Sequence, residues 1–181
     1  MARVFLVTGG GRSGKSTFAQ KLAESMAGSR AYIATCPVID DEMAERVRKH
    51  REARKAGRWD TIEEPLALAD TLQRDGVHDI CLVDCLTLWV NNVVYEAEKV
   101  GRDVTEDDIT RLCDEILEAC RRRSGTVLFV TNEVGMGIIP ENPLARRYRD
   151  LAGRCNQVIA RQAETVILMV SGIPVAIKGS I

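Results

Sequence analysis

Residues 9–16 read GGGRSGKS, and this Gly-x-x-x-x-Gly-Lys-Ser spacing constrains the fold more than any other part of the 181-residue chain. Gly9 and Gly14 permit backbone angles closed to residues with a Cβ, so consecutive N–H groups can converge on an anion. The pattern also needs a strand before it and a helix after it, because a helix N-terminus adds its dipole to the same anion. Both are present. The run 4–8 is short and β-rich, and from Lys15 onward Phe18, Leu22 and Met26 recur every four residues until Gly28 offers a stop. A glycine-rich turn with a chance lysine is the bland alternative, and the flanking elements argue against it. Gly9, Gly10, Gly11, Arg12, Ser13, Gly14, Lys15 and Ser16 are therefore expected to hold the triphosphate of ATP or GTP. Lys15 is expected to act catalytically by reaching the β and γ phosphates, and the Ser16 hydroxyl to ligate Mg²⁺.

The remainder alternates strand-like and helix-like runs. Strands are expected over 30–35, 59–63, 79–83 and 126–130, with 165–170 as the last. Helices are expected over 40–55, 66–74, 86–95 and 143–163. Another should follow Thr105 and Asp108, a near capping box, with Ile109, Leu112, Ile116, Leu117 and Cys120 on one face. Residues 96–103 read as a polar connector and 132–142 as a loop rich in glycine and proline. This order predicts an α/β P-loop nucleotide-binding fold: a mainly parallel central sheet with helices on both faces. No repeat or linker divides the chain, so one catalytic domain over 1–181 is expected. A metal-side carboxylate belongs at the end of a core strand, and Asp84 follows Ile80, Cys81, Leu82 and Val83; the competing reading is a helix cap.

Lysine and arginine total 25 against 26 acidic residues, a net charge of −1, and aromatics are 4%. That balance gives no general attraction to nucleic acid or anionic membrane, and it lacks the stacking platforms of a single-strand binder. The six cysteines form no Cys-x-x-Cys pair and have no zinc-ligand spacing with either histidine, so they read as small core residues in a reducing compartment. The longest apolar stretch, 80–95, is interrupted by Asp84, Asn91 and Asn92, and the N-terminus lacks a signal-peptide pattern. No membrane span and a cytoplasmic location are expected.

The segment 40–58 carries Arg46, Arg48, Lys49, Arg51, Arg54, Lys55 and Arg58. Such a run is usually a solvated face. Yet Met43, Val47, His50 and Arg54 follow helical spacing, so His50 extends an apolar stripe. Two readings stay open from spacing alone: a core histidine, or a nucleophile among arginines. His78, beside Gly76 and Val77, reads as a turn residue.

Four segments in fixed order carry a resemblance. They are GGGRSGKS, IATCPVIDDEMAERVRKHREAR, LVDCLTLWVNN and VTNEVGMGIIPENPLARRYRDLAGRCNQ. Together they closely resemble the bifunctional adenosylcobinamide kinase/adenosylcobinamide-phosphate guanylyltransferase family of cobalamin biosynthesis, over essentially the whole chain. The resemblance implies two reactions. A nucleoside triphosphate phosphorylates the aminopropanol hydroxyl of adenosylcobinamide. GTP then gives GMP to adenosylcobinamide phosphate through a GMP-histidine intermediate, leaving adenosylcobinamide-GDP and pyrophosphate. The matching histidine is His50, which would be catalytic; some relatives carry two adjacent histidines where this chain has Lys49 and His50. The resemblance also implies nucleotide contacts from Ala34, Thr35, Cys36, Arg51, Glu52, Ala53, Arg54, Glu63 and Asp84, with Ser16 and Asp84 serving Mg²⁺. ATP and GTP are the implied nucleotide partners, and a homotrimer is the implied assembly, with Ile138, Ile139 and Pro140 as interface or buried loop. Asn132 and Glu133 follow a strand's C-terminal end, where α/β sheets bind ligands, and face corrinoid or phosphates in this reading. The rival within enzymes is a monofunctional P-loop kinase for another small alcohol, with His50 structural.

Overall fold

A computed structural model describes residues 1–37 and 57–181. The predicted helix over 40–55 falls outside the described residues. Among them the order is β1 (Arg3–Gly9), α1 (Lys15–Glu24), β2 (Arg30–Ala34), β3 (Trp59–Glu63), α2 (Leu68–Arg74), β4 (Ile80–Asp84) and α3 (Leu86–Lys99). There follow α4 (Glu106–Arg122), β5 (Thr126–Val130), a 3-10 turn (Val134–Met136), α5 (Pro143–Gln162), β6 (Thr165–Val170) and β7 (Ile173–Lys178). The strands form one seven-stranded sheet in the order β3-β2-β4-β5-β1-β6-β7. All neighbours pair in parallel except β6 and β7. The expected α/β P-loop architecture is therefore present.

Side-chain alternation along the strands separates two cores. Val4, Leu6, Val83 and Phe129 point to one face, where Leu72, Trp89, Ile116 and Ile159 of α2 to α5 cover them. Phe5, Val7, Leu82 and Leu128 point to the other, against Ala19 and Ala23 of α1. Helix α4 opens on the anticipated capping box: the Thr105 hydroxyl accepts from the Asp108 N–H while the Asp108 carboxylate accepts from the Thr105 N–H. Helix α5 starts at Pro143 behind Asn142, whose side-chain oxygen accepts from the N–H groups of Leu144 and Ala145.

Two expectations need correction. Residues 96–99 are not connector but the last turn of α3, because Ala97 is buried in the helical core. Residues 165–170 are not the last strand. Ser171 and Gly172, both at positive φ, turn the chain back into β7, the antiparallel edge. No helix among the described residues is long and apolar enough to cross a membrane. Five cysteines (Cys81, Cys85, Cys113, Cys120 and Cys155) are buried and free, as expected of core thiols, while Cys36 is half-buried.

At the sheet's N-terminal edge, His78 does more than occupy a turn. Its ring nitrogens face Asp75 at 2.6 Å and Asp60 at 2.9 Å. Arg123 donates to the His78 carbonyl at 2.6 Å, to the Cys81 sulfur at 2.8 Å and to Asp75 at 3.4 Å. Burial pushes the Cys81 thiol up to about 12, so it stays protonated and donates to Asp75.

Candidate active site

The phosphate loop connects β1 to α1 at the C-terminal edge of the sheet. Gly9 has φ of 145°, and a Cβ there would lie 2.5 Å from the Met169 carbonyl oxygen of β6. Gly14, at φ 93°, caps α1 in the left-handed region. It supplies no side-chain acceptor, and α1 has no acidic residue in its first turn. The helix N-terminus is thus left facing the loop with its dipole uncompensated, which suits an anion. The β6–β7 turn buttresses this arrangement, because the Gly172 N–H donates to the Ser13 carbonyl at 3.0 Å. The sequence pattern, which ended the sheet at β6, did not anticipate that support.

Lys15 is buried, with its ammonium donating to the Gly10 carbonyl at 2.5 Å and to the Ser13 hydroxyl at 3.4 Å. Burial lowers its pKa, partly offset by negative charge at Cys85 and Asp84. Burial in turn pushes the Cys85 thiol up to about 11.

Asp84 ends β4, two strand spacings from β1, or about 10 Å. One of its oxygens accepts from the Tyr32 hydroxyl at 2.8 Å. Ala34 of β2 is in register with Asp84 on one side and with Glu63 of β3 on the other. Glu63 therefore lies on the far edge strand, about 19 Å from β1 by the same spacing. Thr35 is buried and locks the ends of β2 and β4 together: its hydroxyl donates to the Cys85 carbonyl at 2.8 Å and accepts from the Cys85 N–H at 2.7 Å. Asn92 of α3 caps the Thr35 carbonyl at 2.8 Å. His50, Arg51, Glu52, Ala53 and Arg54 lie outside the described residues.

Beyond β5, Thr131, Asn132 and Glu133 run along the same edge into a polar network that sequence spacing did not disclose. The Glu133 N–H donates to the Gly9 carbonyl at 3.0 Å. Its Oε1 accepts from the Thr8 hydroxyl at 2.7 Å and from the Asn156 amide at 3.2 Å. Asn156 in turn accepts from Thr131 at 2.7 Å and donates to the Asn132 carbonyl at 3.1 Å. The Thr87 hydroxyl accepts from the Asn132 N–H at 2.7 Å, and Tyr148 donates to the Thr87 carbonyl at 3.0 Å. Burial holds the Tyr148 hydroxyl protonated, with its pKa pushed up to about 12. The available signal was Asn156 itself, a polar residue beside the apolar register of Leu151, Cys155 and Ile159 in α5.

Ser16 and Asp84 offer hard oxygen donors, the type Mg²⁺ prefers, and no cluster of three or more His, Cys, Asp or Glu suited to a metal occurs among the described residues. The donor set fits an ion completed by phosphate oxygens and water rather than an all-protein cage.

Known proteins share this sequence over nearly its whole length. A family model described as cobinamide kinase / cobinamide phosphate guanyltransferase matches residues 5–177. The chain is 42% identical to the bifunctional adenosylcobalamin biosynthesis protein CobP of Pseudomonas aeruginosa, over 96% of each chain. It is 40% identical to the bifunctional adenosylcobalamin biosynthesis protein CobU of Escherichia coli, covering 97% of this chain and 99% of that one. The protein of the same name from Salmonella typhimurium is 42% identical, with the same coverage.

Proposed function

The chain belongs to the cobinamide kinase / cobinamide phosphate guanyltransferase family, and we propose that it performs both reactions of cobalamin biosynthesis through the residues named above. As a bifunctional kinase and guanylyltransferase it would first move the γ-phosphoryl group of ATP or GTP to the hydroxyl of adenosylcobinamide. It would then transfer GMP from GTP to adenosylcobinamide phosphate, releasing pyrophosphate. The observation that supports the first step best is the left-handed Gly14 cap, which presents the α1 N-terminus beside the buried Lys15. Amides of residues 9–16 hold the triphosphate, and Lys15 offsets charge that develops between the β and γ phosphates. Ser16 and Asp84 would hold Mg²⁺, which when bound neutralises phosphate charge.

For the second step the nucleophile we assign is His50. A neutral imidazole attacks the α-phosphorus of GTP, pyrophosphate leaves, and the resulting phosphoramidate passes GMP to the corrinoid phosphate. Arg51 and Arg54 offset charge on the departing pyrophosphate, with Glu52 and Ala53 between them. Ala34, Thr35, Cys36 and Glu63, along the same strand ends, are assigned to the nucleotide. We further assign the chain to one catalytic domain that works as a trimer, for which Met136, Ile138 and Ile139 supply exposed apolar surface.

Incubation with α-labelled GTP tests the histidine assignment. Acid-labile, base-stable label on the wild-type protein, absent in His50→Ala, is the expected result. A wild type that phosphorylates adenosylcobinamide yet never takes up label would leave only the kinase.

A further inference from the structure

We infer that Glu133 is the general base of the kinase step, accepting the proton of the adenosylcobinamide hydroxyl; the inference rests on the kinase reading above. Three observations place it. The first is position: the Glu133 N–H is bonded to the Gly9 carbonyl, and the Lys15 ammonium to the Gly10 carbonyl, so both residues abut the first two glycines of the phosphate loop. Glu133 and Lys15 are thereby held at the same turn, the one that takes the phosphates in the kinase reading. The second is its half-engaged state. Oε1 is anchored by Thr8 and Asn156, while Oε2 has no hydrogen-bond partner among the described residues, and the side chain is half-buried rather than sealed. The third is the character of the anchors. Both are neutral, and no cation among the described residues forms an ion pair with Glu133, so the carboxylate is oriented without its charge being offset by a salt bridge. Asn156 is itself fixed by Thr131, which is 1% exposed. Asp84, the other carboxylate near the loop, instead acts electrostatically on Lys15 and suits the metal side.

The chemistry separates the two reactions. In the kinase step the nucleophile is an alcohol, which holds its proton at neutral pH. As its oxygen bonds to the γ-phosphorus, the bond from that phosphorus to the β,γ-bridging oxygen breaks. The hydroxyl proton passes to Glu133 Oε2, and the nucleoside diphosphate leaves; Glu133 then returns the proton to water. In the transfer step the nucleophiles are an imidazole and a phosphate oxygen already ionised. Neither needs a carboxylate base. Glu133 is thus a catalytic residue for one activity only.

Glu133→Gln keeps the shape and the Oε1 acceptor but removes the base. The expected result is a kinase kcat lower by about 10²- to 10⁴-fold. GMP transfer to supplied adenosylcobinamide phosphate should stay near wild type. Should that variant fail to fold, Glu133→Asp carries the test: a reduced kinase kcat with GMP transfer retained supports the assignment. An unchanged kinase kcat in either variant, or equal loss of both activities, overturns it. A wild type that makes no phosphorylated corrinoid would overturn the functional reading and this inference together, whereas an active wild type with an active Gln variant removes only Glu133.

Discussion

The two edges of the sheet each gather titratable side chains, but they treat them in opposite ways. At the N-terminal edge Asp75, His78, Cys81 and Arg123 satisfy one another: Asp75, His78 and Arg123 each meet at least two partners. At the C-terminal edge the groups are held but not used up. Lys15 rests on a backbone carbonyl and a hydroxyl, Glu133 leaves one oxygen without a hydrogen-bond partner among the described residues, and Gly14 caps its helix with no side chain. Saturation is what buried polar groups need for stability. Unused capacity is what a site needs, because its partner arrives with the substrate. Burial alone therefore does not distinguish the two edges, and the count of unmet donors and acceptors does.

The largest expected effect tests the unsaturated edge. Lys15→Ala should lower kinase turnover about 10³-fold, the cost of removing one preorganised charge from a phosphoryl-transfer site. Stability should change little, because relief of the desolvated ammonium offsets the loss of its hydrogen bonds to the Gly10 carbonyl and the Ser13 hydroxyl. Steady-state kinetics and a thermal melt check both halves. A variant that loses turnover and several degrees of Tm together would show that Lys15 is as structural as the opposite cluster.

The saturated edge should respond the other way. Arg123 and Asp75 are 7% and 5% exposed, so Arg123→Met leaves a buried carboxylate short of a charge partner. Removing one member of such a pair typically costs about 3–5 kcal/mol; His78 and the Cys81 thiol still serve Asp75, which places this variant at about 3 kcal/mol. Denaturant titration measures it. Kinase kcat, assayed at low temperature where the variant is folded, should be close to wild type.

The contrast also explains what could be read from the sequence. The phosphate loop was legible because its requirements are local: two glycines at fixed spacing, an apolar strand before and a periodic helix after. Asp84 was legible because a carboxylate ending the run Ile80–Val83 breaks a pattern. The Glu133 network was not legible, because Thr8 and Glu133 are separated by 125 positions and meet only when β1 and β5 pair. Strand β7 escaped for a different reason. As an exposed edge it needs no clean alternation: Ile173, Val175, Ala176 and Ile177 are all exposed, so the apolar period that marks inner strands is missing. The end of α3 misled because Glu96, Glu98 and Lys99 look like a connector, whereas Ala97 alone faces the core and Glu96 pairs with Lys99 at 2.7 Å. His78 looked like a turn residue because both its partners, three and eighteen positions away, lie on other turns or strands.

The smallest expected effect is the most specific to the saturated edge, since it depends on pH. Burial disfavours the charged His78 ring and Arg123 stands nearby, but the ring's hydrogen bonds to Asp60 and Asp75 and the charges of these carboxylates outweigh this and raise its pKa above 6.5. When protonated, both ring nitrogens donate, one to each carboxylate. When neutral, only one N–H remains, and one carboxylate loses its donor. A folded-state pKa above the unfolded value means that the stabilisation is complete below about 6.5 and fades as pH rises through the raised value. Asp75 does not confuse the reading. Burial opposes its charge, but Cys81, His78 and Arg123 lower its pKa overall, so its own contribution fades only in acid, below 3.8. The stability gap between wild type and His78→Gln should accordingly be widest near pH 6 and narrow towards pH 9, as followed by denaturant midpoints. It should stay below the Arg123 effect, because Asp60 is 81% exposed and its contact is screened by water. A gap that is flat, or that widens with rising pH, would mean that the ring is neutral between its two carboxylates and that this edge, like the other, holds capacity in reserve.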